Sequence, residues 1–261
     1  MTTRWQLYTG SIGGGDKDVI DFGTGADFPL QITRPVTPSF KPKFCVFTDP
    51  NGTVSGGWGA PGPSAVGLCW DGAYLWSVDS SANYIYKLET NGTTTGGFDS
   101  PGAGPMGVAW DGTYLWHADG TADYMYKLKT NGTVVSGWST PDGGPRGPAW
   151  DGTYLWHPDA GAGFIYKLKV DGSIADSFGA TSPEDITWDG TYLLTSAYNP
   201  NYIYKYKTDG TVAGGFASPT ANPGGLGWDG VYLWYNKYQS GYVYRLSGGT
   251  ATYTKIADLV Y

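Results

Sequence analysis

The chain has 261 residues, of which 42 are glycine, 21 tyrosine and 12 tryptophan, and only 15% are charged. With a formal charge of −7 and no Lys/Arg run, it presents no cationic surface for nucleic acid or an anionic membrane. No stretch approaches the roughly 18–20 apolar residues of a membrane span, the first twenty residues lack a signal-peptide apolar core, and two cysteines are too few for a disulfide framework or a zinc site.

These bounds predict a soluble protein whose setting is left open, with a virion or an extracellular surface among the places it fits. Abundant aromatics punctuated by Gly and Pro predict many short strands joined by tight turns.

Residues 1–43 stand apart. They carry a Gly13–Gly15 run and end in the Pro-spaced RPVTPSFKPK. They are expected to form either an N-terminal arm that contacts another subunit or part of a degenerate blade. In the second case the strands would be RWQLY with KDVIDFG or FPLQIT. From residue 44 to 261 the chain is repetitive. FCVFTDPNGTVSGGW, Phe44 to Trp58, aligns with YIYKLETNGTTTGGF, Tyr84 to Phe98, and so supplies a third and a fourth strand ahead of the first complete unit.

Five units follow. Trp-Asp-Gly recurs at Trp70, Trp110, Trp150, Trp188 and Trp228, spaced by 40, 40, 38 and 40 residues. Each is followed by an aromatic strand: YIYKL, YMYKL, FIYKL, YIYKY and YVYRL. An Asn-Gly or Asp-Gly turn comes next in four of them, as at Asn91, Asn131, Asp171 and Asp209. A further aromatic (Phe98, Trp138, Phe178, Phe216) then closes the unit. Each unit reads as four antiparallel strands: one ending in Trp-Asp-Gly, a second such as TYLWH, a third such as YMYKLK and a fourth such as TVVSGW. Asp-Gly and Asn-Gly favour two-residue hairpin turns because both central residues take positive φ. Apolar residues at consecutive strand positions predict strands covered on both faces, as in a sheet packed between neighbours.

Four strands every ~40 residues describe a β-propeller blade. At these residues, roughly 44–258, the chain resembles propeller repeats of the NHL and related six-bladed kind. The WD-repeat family is a poorer match, since no Gly-His precedes the Trp-Asp and the pair opens a turn. The resemblance implies an all-β propeller of six four-stranded blades, the first degenerate. The alternative is five blades plus an arm. The last unit lacks an obvious fourth strand, for which Thr250–Ile256 is the candidate.

Propeller topology sends the longer connections to one end of the ring, where binding residues concentrate. The candidates there are Asp79, Asp99, His117, Asp119, Asp142, Arg146, His157, Asp159, Glu184, Asp185, Lys237 and Tyr238. The two histidines occupy equivalent places in adjacent units, so His-x-Asp pairs could converge on a metal or act in acid–base chemistry. Duplication of one blade explains them equally well. The Trp-Asp-Gly aspartates read as turn chemistry, and the Asn-Gly-Thr sequons at Asn51, Asn91 and Asn131 as turns that happen to match a glycosylation motif. Lys87, Lys127, Lys167, Lys205 and Arg245 read as solvated or locally paired. No cofactor, metal or catalytic residue is expected. The function that fits is non-enzymatic: recognition of a protein partner or a glycan, as a structural or attachment component of a larger assembly. The alternative is a propeller enzyme of the lactonase, lyase or cyclase kind, for which Asp185 is the only acid that can be nominated near the axis.

Overall fold

The computed structural model describes residues 4–9, 18–24, 44–47 and 50–248, with side chains from 53 to 246. Contacts divide the chain into two units, Met1–Pro50 with Gly248–Tyr261, and Asn51–Ser247.

In the first unit, Arg4–Thr9 pairs antiparallel with both Asp18–Thr24 and Phe44–Phe47 to give a three-stranded sheet. RWQLY and DVIDFG therefore lie in strands, but of this separate three-stranded sheet rather than of a four-stranded blade. FPLQIT lies outside the described residues.

The second unit is a β-propeller of five four-stranded antiparallel blades. The first blade runs Ala65–Trp70, Leu75–Asp79, Tyr84–Leu88 and Thr94–Asp99. The second runs Pro105–Trp110, Leu115–Asp119, Tyr124–Leu128 and Val134–Ser139. In the third, a two-residue inner strand, Ala149–Trp150, precedes Leu155–Asp159, Phe164–Leu168 and Ile174–Gly179. The fourth runs Pro183–Trp188, Leu193–Ala197, Tyr202–Tyr206 and Val212–Ala217. The fifth takes Pro223–Trp228, Leu233–Lys237 and Tyr242–Gly248 from the end of the chain and its outer strand, Pro50–Gly59, from the beginning.

That last pairing corrects the six-blade expectation. The fourth strand read from Phe44–Trp58 is real, but it completes the fifth blade, while Phe44–Phe47 joins the separate sheet. Ser55 Oγ donates to the Arg245 carbonyl at 3.1 Å across 190 residues of sequence. Thr250–Ile256, expected to fill this role, lies outside the described residues. The five inner strands contact one another in a closed circuit, the fifth meeting the first.

The Trp-Asp-Gly motif does more than turn the chain. Trp70 pairs with Leu75, so the connection is a four-residue loop rather than a two-residue turn, and Gly72 takes a positive φ of 99°. Asp71 Oδ1 accepts the Ala73 and Tyr74 amides at 2.8 and 2.7 Å, and its Oδ2 accepts the Trp76 indole N–H at 2.8 Å. Asp111, Asp151 and Asp229 hold Trp116, Trp156 and Trp234 in the same way. These four indoles are almost wholly buried. A buried ring of ~150–250 Å² stabilises by several kcal/mol before chain entropy is counted, provided its N–H finds an acceptor. The aspartate is that acceptor. In the fourth blade Leu194 replaces the tryptophan, and burial pushes the Asp189 carboxyl upward.

The per-blade cations differ from the solvated or paired reading. Lys87 lies 3.9 Å from the Tyr74 ring centroid, Lys127 4.3 Å from Tyr114, Lys167 4.2 Å from Tyr154, and Arg245 4.6 Å from Tyr232. Their stems and charges cover the aromatic second strand.

Blades are joined by the aromatic of each outer strand. Trp76 meets Phe98, and Trp116 meets Trp138, at centroid separations of 5.8 and 6.3 Å. The outer aromatics of the first three blades then lie over the turn glycine of the next blade: Phe98 over Gly132, Trp138 over Gly172, and Phe178 over Gly210. Trp58 lies over Gly92 so closely that a Cβ there would come within 2.7 Å of the ring. Its indole N–H reaches the Thr90 carbonyl at 3.2 Å. The closing strand thus latches the last blade to the first. Trp58→Ala should destabilise the protein by about 3 kcal/mol, the low end for truncating a packed aromatic because this one is half-buried. Val54→Ala on the same strand, at a side chain 45% exposed, should change stability by no more than about 0.5 kcal/mol. Denaturant unfolding of the two variants checks this.

Candidate functional site at the propeller axis

The inner strands meet at equivalent residues Gly67, Gly107, Gly147, Asp185 and Gly225. A Cβ on Gly67 would come within 2.9 Å of the Met106 carbonyl, and one on Gly225 within 2.7 Å of the Gly67 backbone. A Cβ on Gly107 would overlap Gly147, and one on Gly147 would overlap the Asp185 carboxylate. Four blades leave no room for a side chain at this level, and the fourth blade places a carboxylate in the gap.

Asp185 is 1% exposed. Its Oδ1 accepts the Ile186 amide and its Oδ2 the Leu226 amide of the fifth blade, both at 2.8 Å. Burial drives its pKa well above the usual carboxylate range. The Leu226, Ile186 and Leu68 amides pull it back, and neighbouring Glu184 adds a smaller upward push. One carboxylate therefore ties three blades together through inner-strand N–H groups that have no sheet partner on the axial side.

Beside it the polar character continues. Ser196 Oγ donates to the Gly224 carbonyl at 2.7 Å. Asn236 Oδ1 accepts the Gly225 amide at 2.5 Å, while its Nδ2 is buried without a partner. Both residues are 0% exposed. They occupy the place of Val78, Ala118 and Pro158 in the first three blades. Their candidacy was legible only as a polar break in an apolar column, and loop position alone misses them.

One residue before the axial ring stand Val66, Met106, Arg146, Glu184 and Gly224. Arg146 Nε lies 3.3 Å from Glu184 Oε2 in an ion pair, with side chains 22% and 12% exposed, and Arg146 Nη1 contacts Met106 Sδ at 3.3 Å. Burial raises the Glu184 pKa, and Arg146 opposes the rise. Asp142 and Arg146 both act electrostatically on Asp159, whose pKa burial raises. Arg146, Glu184, Asp142, Asp159 and Asp185 thus form one charged neighbourhood at the long-loop end.

Other expected residues are placed elsewhere. Asp79 and Asp119 are buried at the ends of second strands, where Oδ1 accepts two amides of the following loop. Asp99 is exposed on an outer strand. Lys237 is half-buried, its carbonyl accepting from Ser240, and Tyr238 packs against the core at the first blade. The histidines do not sit at strand ends facing the loops. Each lies at the middle of its second strand, 0% exposed, stacked on the cross-strand partner Tyr126 or Tyr166. His117 faces the first blade and His157 the second, in separate seams. Among the described residues no group of three or more His, Cys, Asp or Glu side chains is arranged to hold a metal. Cys69 is free and buried; the Cys45 side chain lies outside the described residues.

No protein-family model matches the chain, and no curated protein matches it in sequence. Its likeness is to solved structures. The glutaminyl cyclase of Myxococcus xanthus superposes with a TM-score of 0.64 at 11% identity, over 74% of this chain and 94% of that one. A chain of a nidogen/laminin complex gives 0.52 at 20% identity, over 67% and 73%. At these identities the likeness establishes the propeller fold and carries no activity. No helix among the described residues is long and apolar enough to cross a membrane.

Two outcomes follow. Asp185→Asn puts an amide N–H against one of the N–H groups that the carboxylate now accepts, so about 1–3 kcal/mol of stability should be lost, read as a lower Tm. Burial lowers the His117 pKa from 6.5 to about 4 and that of His157 to about 3. Unfolded histidines take up protons first, so stability should fall as pH drops from about 6.5 toward 4. Unfolding free energies across that window, for the wild type and for His117→Gln/His157→Gln, check it. The double variant should show a flatter profile.

Proposed function

We propose that the propeller is a non-enzymatic recognition module, whose long-loop end contacts a protein partner or a glycan within a larger assembly. The observation that supports this reading is how the axial polar groups are used. Asp185, Ser196 and Asn236 bond to the ring's own backbone, while the groups free to meet a ligand lie outside the axis. Asp142 and Tyr198 are exposed, the latter at 45%, while the paired Arg146 and Glu184, with Lys237 and Tyr238, are partly exposed. Exposed tyrosine beside small polar groups suits sugar faces and protein contacts alike.

A glycan array and a pull-down on the intact chain separate the two ligand classes. Tyr198→Ala and Arg146→Ala should each reduce binding roughly tenfold, the loss of about 1.4 kcal/mol, with the fold intact. Binding unaffected by either would place the contact elsewhere. The assembly version adds that deleting residues 1–43 abolishes association yet leaves the propeller folded, since its closing strand starts beyond them.

An enzyme is the second reading, and one feature favours it: a buried carboxylate whose pKa desolvation raises lies next in sequence to the Glu184 of an Arg–Glu pair, residue types that serve in acid–base chemistry. Turnover of lactone or glutaminyl-peptide substrates, lost in both Asp185→Asn and Glu184→Gln, would favour it over the first.

A further inference from the structure

The residue that follows each second strand lies against the start of its own blade's inner strand. Ser80, Gly120, Tyr198 and Tyr238 donate their amides to the carbonyls of Ser64, Gly104, Ser182 and Asn222 at 3.0, 2.7, 3.2 and 2.8 Å. A Cβ on Gly120 would come within 2.9 Å of the Met106 methyl, and one on Gly224 within 2.9 Å of the Tyr238 amide nitrogen. By the same repeat Ala160 stands beside Arg146, and Tyr198 beside Glu184.

The repeat is broken at this level. Blades one to three carry Ser80, Gly120 and Ala160, whereas blades four and five carry tyrosine. Tyr238 packs against the first-blade core that includes Val66, which covers its own sector. Tyr198 remains 45% exposed. The long-loop end therefore has a sector of small residues over blades two and three, bounded at blade four by an exposed aromatic ring. Arg146 and Glu184 form the inner margin of that sector.

The backbone of Arg146 is fixed, its amide donating to the Pro158 carbonyl at 3.0 Å while Pro145 bridges Asp159. Its guanidinium is not saturated. Nε lies 3.3 Å from Glu184 Oε2 yet is buried without a hydrogen-bond partner. Nη1 meets Met106 Sδ at 3.3 Å, and a thioether is a weak acceptor. A carboxylate has about four lone-pair sites, so Glu184 keeps accepting capacity beyond its ion pair. Strong donors and a strong acceptor thus stand side by side.

The group that suits them donates and accepts at neighbouring atoms and carries no charge. An anion would face Glu184 and Asp142 on a chain of net charge −7, and a cation would sit against Arg146. Adjacent hydroxyls of a sugar ring meet the requirement, because each both donates and accepts. One takes a guanidinium N–H and the other gives its O–H to Glu184, with the apolar face of the ring on Tyr198. We propose that Arg146, Glu184 and Tyr198 form a saccharide subsite selective for a neutral pyranose with vicinal hydroxyls. This rests on the recognition reading above and narrows its ligand from protein or glycan to glycan.

Titration with the methyl pyranosides of glucose, mannose and galactose, with their monodeoxy analogues and with methyl glucuronide, tests it. The chain has three methionines, so methyl ¹³C spectra are simple to read. At least one neutral pyranoside should shift the Met106 methyl, which touches Arg146, and leave the wholly buried Met125 in place. Glu184→Gln and Arg146→Lys should each weaken its binding about tenfold, the low end for a lost hydrogen bond to a charged group. Removing one hydroxyl of the engaged pair should cost the wild type the same. The deoxy analogue that loses the Glu184 contact should bind the wild type and Glu184→Gln equally. Methyl glucuronide should bind at least tenfold more weakly than methyl glucoside. If a variant fails to fold, the deoxy series and the Met106 shift decide on the wild type alone. The subsite is overturned if sugar binding leaves Met106 unmoved, is indifferent to every single hydroxyl, or is as tight for the glucuronide. A protein partner lost in Tyr198→Ala, with no sugar bound, overturns the subsite and leaves the recognition reading standing. Binding of neither class overturns both.

Discussion

Five strands that touch one another around a single axis leave no space for side chains at the level where they meet. Everything else in the propeller is arranged around that constraint. It is why four blades carry glycine at this position and why the fifth such position, Asp185, directs its carboxylate over the backbone of the neighbouring blade. The inner strands have no sheet partner on the axial side, so their amides need acceptors. A carboxylate that bonds the Ile186 and Leu226 amides and lies beside that of Leu68 turns an unavoidable gap into a three-blade tie. Its desolvation raises its pKa, and the amides limit the rise.

Much of this was legible in the sequence because a propeller blade is a local object. Its four strands are contiguous, its turns need glycine, and its aromatics must be covered on both sides, so the period of ~40 residues and the strand boundaries follow directly. Ring closure was not legible in the same way. Pro50–Gly59 pairs with a strand some 190 residues away, and nothing within ten residues of it states which blade it completes. Counting its half-unit as a sixth blade was the natural error. The turn chemistry was half right. Glycine at positive φ was foreseen, but the aspartate's second oxygen serves an indole five residues on, a contact invisible to a turn rule.

The site was harder to read, for a physical reason. Repetition makes conspicuous residues such as His117 and His157 look functional because they occur twice. Duplication is also how a buried position is copied, and both rings are sealed between blades. The informative residues are the ones that break the repeat: Asp185 among glycines, and Ser196 and Asn236 among Val78, Ala118 and Pro158. Burying a polar group costs free energy unless it is bonded, so a column that turns polar in two blades out of five signals that those blades meet a demand the other three do not. Loop position pointed to Arg146, Glu184 and Asp185 together, but it could not separate Asp185, whose oxygens are committed to backbone, from the ion pair above it.

The near-identity of the first three blades also permits a comparison that a single-copy fold denies. Equivalent residues in one molecule share a scaffold, a solvent and a state, so differences in their bonding report on local sequence alone. Asp79 and Asp119 show a second-strand carboxylate that accepts an amide of the preceding segment, from Ser64 and Gly104; at Asp159 the equivalent amide, Gly144 N, bonds Asp123 instead. Among the residues that set the third blade apart from both are Asp142 for Gly62 and Gly102, Gly161 for Ser81 and Thr121, and Pro148 for Leu68 and Val108. Gly161 widens the backbone choices of its own loop, and Pro148 removes an amide from the inner-strand ladder, which is two residues long in this blade. The proline thus accounts for a shortened inner strand in the blade that carries Arg146, while Pro145 and Arg146 keep their pairing with Asp159 and Pro158.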